Sequence, residues 1–157
     1  MPTTTREQAA SALFSLMTTS VNKVVGLKTT LRRFRLPEDV APAQTPALFQ
    51  IQTEEPYEYR PGAMVGIPPV RTMIFDLHLY VTDASATSGG VIGTPSTQLN
   101  NMIQAIETAL LPDATTNRQT LGGIVYSARI EGKIQYLESR TLDGLSIAMI
   151  PISVVFP

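Results

Sequence analysis

In residues 72–81, the odd positions Met73, Phe75, Leu77, Leu79 and Val81 are all large and apolar, while Thr72, Ile74, Asp76, His78 and Tyr80 occupy the even ones. Side chains alternate across a strand with period two, so this run is a β-strand with one continuous apolar face. Such a face has to be buried, which predicts a central strand of a sheet with Phe75 and Leu77 at its middle. The same alternation recurs at the end of the chain, in Ala148, Ile150, Ile152, Val154 and Phe156. There Pro151 lacks the N–H a ladder needs and predicts an edge position or a bulge. A third run alternates Ala47, Phe49, Ile51 and Thr53 with Leu48, Gln50 and Gln52.

Two segments carry the helical period instead. Ala10, Leu13, Phe14, Met17 and Val21 recur at spacings of three and four, and so do Leu99, Met102, Ile103, Ile106 and Leu110. Each set forms one stripe of a helix that packs on a neighbour. Thr4 and Glu7 have the spacing of a capping box for the first helix. Thr94 and Pro95 suit the cap and first position of the second, which Pro112 and Asp113 stop.

Between these runs, Val24 to Leu36 is rich in β-branched and basic residues and reads as a strand. Residues 37–46 hold three prolines and read as a loop, as do residues 54–69 and 82–93. In the last third, Ile124, Tyr126, Ala128 and Ile130 alternate with Val125, Ser127, Arg129 and Glu131, so Ile124 and Tyr126 are expected on the face of Ala128. Gly132 then turns the chain into a strand at 133–138, and Asp143-Gly144 marks a tight turn before the final strand. The expected fold is α+β. A single domain over residues 1–157 holds a mixed, mainly antiparallel sheet of about four to six strands with both helices on one face.

Composition narrows the chemistry. The chain has 157 residues, no Cys, no Trp and one His, so disulfides, thiolate metal sites and cysteine nucleophiles are excluded. His78 lies two residues from Asp76 on one strand face, but a triad or metal site needs further ligands that no spacing supplies. The pairs Gly89-Gly90 and Gly122-Gly123 lack the Lys-Ser or Lys-Thr of a phosphate loop. The reading is a non-catalytic protein without cofactor or metal. No apolar run reaches the length of a membrane span, and the polar start at Met1 to Gln8 has no signal-type stretch.

Charge is unevenly spread. Residues 1–36 carry six Lys or Arg against the single Glu7, while the rest carries six against twelve Asp or Glu. The basic run Lys28, Arg32, Arg33 and Arg35 could neutralise phosphates, yet only Phe34 interleaves it, so it reads better as a surface for an acidic protein neighbour than for nucleic acid. Self-association would pair the basic and acidic parts. The expected contact residues are Arg32, Arg33 and Arg35 on one side, and Glu54, Glu55, Glu58, Arg60 and Asp83 in the loops.

The stretches Gln119-Thr120-Leu121-Gly122-Gly123-Ile124-Val125-Tyr126, Ile130-Glu131-Gly132, Asp143-Gly144 and Ile147-Ala148-Met149-Ile150-Pro151-Ile152, with Pro46-Ala47-Leu48-Phe49, the opening helix and the strand start at Lys28-Thr29-Thr30, resemble the tail terminators of tailed bacteriophages. That resemblance covers most of the chain. It implies a virion structural protein, assembled in the host cytoplasm, whose hexameric ring caps the tail tube and joins it to the head connector or stopper. It implies no active site; the genome would pass through the ring without specific binding. A ring of identical subunits uses heterologous contacts, in which one patch meets a different patch on the next copy. A stopper, a head-tail adaptor or a tail-tube subunit would share the same size and lack of chemistry.

Overall fold

A computed structural model describes residues 4–58, 69–82, 95–138 and 144–156. The fold is α+β. In chain order it comprises α1 (Arg6–Val25), β1 (Thr29–Leu31), 3-10 turns at Pro37–Asp39 and Pro42–Gln44, and β2 (Ala47–Glu54). There follow β3 (Tyr57–Glu58), β4 (Val70–Thr82), α2 (Pro95–Ala109), β5 (Ser127–Ile130), β6 (Gln135–Glu138) and β7 (Leu145–Phe156). The strands make one sheet of order β1-β2-β4-β7-β5, with β3 also on β4 and β6 also on β7. Every pairing is antiparallel except β1 with β2.

The two runs with the clearest alternation, β4 and β7, pair with each other over twelve residues from Arg71↔Phe156 to Thr82↔Leu145. Each has a broken strand outside it. β2 and β3 flank β4, with one extra residue between Gln52 and Glu54. β5 and β6 flank β7, pairing with residues 152–155 and 146–149. Here Pro151 is interior rather than at an edge. Its carbonyl accepts from Glu131 N at 3.1 Å, on the β5–β6 side. The N and O of one extended residue point the same way, so the missing N–H also faces the break between β5 and β6 and interrupts no bond to β4.

Both helices cover one face. Ala9, Ala10, Leu13, Met17 and Val21 of α1 and Leu99, Met102, Ile103 and Ile106 of α2, with Leu110 just beyond it, close over Met73, Phe75, Leu77, Leu79 and Val81, and over Ala148, Ile150, Ile152, Val154 and Phe156. Gln50 is buried beneath α1, donating to Ala10 O at 3.0 Å. Among the described residues no helix is long and apolar enough to cross a membrane.

Three local expectations shift. The cap of α1 is Thr5, which accepts from Gln8 N at 3.2 Å, while Gln8 Oε1 accepts from Thr5 N at 2.8 Å. Gln8 serves the box as well as Glu7 would; Glu7 is instead bound to Arg32, and the Thr4 hydroxyl donates to Ile124 O at 2.6 Å. Nor does a strand begin at Val24, because α1 runs on to Val25. It ends at Gly26, whose φ of 63° suits a left-handed cap that donates to Asn22 O, so only Thr29–Leu31 is left for β1. Third, Ile124 and Tyr126 do not share the face of Ala128. Leu121, Gly122 and Gly123 all take positive φ, folding residues 120–125 into a turn that buries Leu121 and Val125 and exposes Ile124 and Tyr126. The loop expected over residues 54–69 contains β3; residues 59–68, 83–94 and 139–143 lie outside the described residues.

Candidate assembly surface

The register assigns the face of the sheet away from the helices. Ala47, Phe49 and Ile51 stand beside Tyr80, His78 and Asp76, which in turn stand beside Ile147, Met149 and Pro151. After the bulge, Glu54 aligns with Ile74, and Glu58 aligns with Val70 on the same face.

Near β1 this face is covered by residues 32–40. Having left the sheet at Leu31, the chain sets the Phe34 ring edge-on to His78, centroids 5.6 Å apart, and places Arg35 O where the Tyr80 hydroxyl donates to it at 2.7 Å. Val40 then closes a small cluster with Ala47, Phe49, Tyr80, Leu145 and Ile147. Burial pushes the Tyr80 hydroxyl up to about 12, with the nearby Glu38 carboxylate adding to the shift. Met149 is half-buried against that cluster, and the rest of the face is half-buried at Ile51, Ile74, Pro151 and Val155.

His78 is 8% exposed beneath Phe34, and this burial lowers its pKa against the opposing pull of Asp76. A neutral imidazole packed edge-on against Phe34 is a packing element. Among the described residues no three His, Asp or Glu come together as a metal site.

The predicted contact residues separate into three groups. Arg32 is held within the chain, NH1 to Glu7 Oε1 at 2.5 Å and NH2 to Glu7 Oε2 at 3.1 Å, and Ser11 accepts from it at 3.1 Å. Arg32 and Ser11 together pull the Glu7 carboxyl down to about 2. Glu55 is likewise taken: Arg6 Nε donates to both its oxygens at 2.8 Å, depressing its pKa, and the same guanidinium donates to the Tyr57 hydroxyl. These pairs join the first turn of α1 to the chain just after β1 and to the link between β2 and β3. In the second group, Arg33, Glu54 and Glu58 are exposed and Arg35 half-buried, with no ion pair to a described residue. Arg33 and Arg35 follow β1 in the chain, while Glu54 ends β2 and Glu58 ends β3. Arg60 and Asp83 lie outside the described residues.

Neither protein-family models nor curated proteins match this chain.

The sequence predicts strands at 124–130 and 133–138, where β5 and β6 lie, but not that they form an exposed margin of the sheet. No strand among the described residues pairs with its outer side, although Ala128 N of β5 donates to Gln119 O at 2.8 Å; β6 carries Tyr136 and Leu137 at 57% and 53% exposure, with Tyr126 and Ile124 exposed just ahead of β5. The alternation that made 124–130 look like a half-buried strand is what concealed this margin. The positive φ expected of Gly122-Gly123 was the available signal that the phase breaks.

Proposed function

We propose that this chain is a bacteriophage virion structural protein, a tail terminator whose hexameric ring caps the tail tube and joins it to the head connector. The observation that carries the reading is the division of the surface. Helices cover one sheet face, while the other leaves Ile51, Ile74, Met149, Pro151 and Val155 half-buried, and Arg33, Arg35, Glu54 and Glu58 make no ion pair to a described residue. Apolar area rimmed by polar groups marks an interaction surface. The resemblance of residues 119–126, 130–132, 143–144 and 147–152 to tail terminators is what favours that assembly for this surface. In this reading the partners are further copies of the chain, the tail tube protein and the connector or stopper.

Adding the purified protein to tails and to emptied heads, and imaging both, tests the assignment. A hexameric ring on the head-proximal end of the tail is the expected result. A dodecameric ring, or protein retained on heads instead of tails, contradicts it and fits a stopper or adaptor.

A further inference from the structure

We propose, resting on the self-assembly in that reading, that the outer edge at β6 of one copy takes up strand β1 of the next, so that the sheet continues from subunit to subunit. An edge strand displays a row of unpaired N–H and C=O groups, and natural proteins blunt such edges with Pro, Lys or a covering element. Here β6 contains neither Pro nor Lys, and no described residue covers its outer side. Its two middle side chains are large, apolar and exposed. Leu137 aligns with Ile147 on the helix-free face, and Tyr136 with Ala148 on the helix face. An added strand would therefore find an apolar contact on both sides of its backbone.

The strand order argues for a second copy as the occupant. β1 runs parallel to β2, and the pairings from β2 through β4 and β7 to β5–β6 are all antiparallel, so the two margins of the sheet run in opposite directions. A copy set alongside in the same orientation, helices on the same side, thus presents its β1 antiparallel to β6. The direction is correct without turning the molecule over, and the contact is heterologous, as a closed ring requires. β1 is also unpaired on its outer side among the described residues and offers Leu31 on the face that carries Leu137. An unrelated peptide strand could lie on the edge in either direction; only the chain's own β1 has its direction fixed by this topology.

The chain has no native cysteine, so introduced thiols report without background. Lys28→Cys, at an exposed position just ahead of β1, and Leu137→Cys are made singly and together in the full chain, treated with a short bismaleimide and resolved by denaturing mass. In parallel, Y136K/L137E is weighed by light scattering beside the wild type. The expected result is a ladder of covalent multimers from the double variant, none from either single one, and a one-chain mass with unchanged far-UV circular dichroism for Y136K/L137E. Cross-linked dimers from Leu137→Cys alone would mean that the edge meets itself, which overturns the proposal. Wild type and Y136K/L137E assembling alike, with no ladder, also overturns it and leaves self-assembly standing at another surface. A wild type that stays monomeric at all concentrations removes the self-assembly reading as well.

Discussion

The two flanks of the central β4–β7 pair are built alike and finished differently. Each is an antiparallel strand broken once, but the β2–β3 flank is covered, while the other is bare at β6. On the first, β1 pairs with the outer side, residues 32–40 fold across the face, and the Arg6–Glu55 and Arg32–Glu7 pairs join it to the first turn of α1. On the second, the break between β5 and β6 opposite Pro151 interrupts the ladder, and Tyr136 and Leu137 stand in solvent. The shared centre is what folding needs. The difference lies at the margins, where apolar side chains left exposed gain nothing until another surface covers them.

That comparison can be broken in order of expected size. Phe75→Ala, in the centre common to both flanks, should cost about 3 to 5 kcal/mol by chemical denaturation; an unchanged midpoint would place Phe75 outside the core and invalidate the register. Gly132→Val acts on the bare flank. Gly132 has φ of 124°, and an added Cβ would lie 3.0 Å from Pro151 Cγ, so a loss on the order of 1 to 3 kcal/mol is expected. A neutral outcome would mean that the break between β5 and β6 bears no structural constraint. Tyr80→Phe, on the covered flank, deletes the hydroxyl that donates to Arg35 O and should cost about 1 kcal/mol, read from the same denaturation curves. If Tyr80→Phe instead proves as stable as the wild type, residues 32–40 are held by packing alone.

The smallest effect concerns pH. Burial lowers the folded pKa of His78 below its ordinary value of 6.5, so the unfolded chain takes up the proton first. Stability contributed by the neutral ring is complete above pH 6.5 and declines as the pH falls from there toward the folded value. Comparing unfolding midpoints of wild type and His78→Gln between pH 7.5 and 5.5, as an order-of-magnitude window around that titration, should show the wild type losing more. Parallel slopes would mean that the ring is not held neutral by its cover.

Much of this was legible in the chain. Period two in residues 72–81 and 148–156 located the two central strands, and the three-and-four spacing located both buried helix stripes, because burial on one side leaves its period in the sequence. Chain ends of elements were less legible. α1 outran the β-branched Val24-Val25 because Gly26 and Asn22 set the stop, and propensity is weaker than a built cap. The contact residues were legible only as charge. Arg32 and Glu55 carry charge as Arg33 and Glu54 do, and only the fold reveals that the first two are spent on Glu7 and Arg6. The bare margin was illegible because exposed Tyr136 and Leu137 look in sequence like any buried pair.

Native mass spectrometry of the full chain tests the central claim most directly. The account predicts a closed assembly of six chains, replaced by single chains in Y136K/L137E. A wild type that remains a single chain across the accessible concentration range would contradict it.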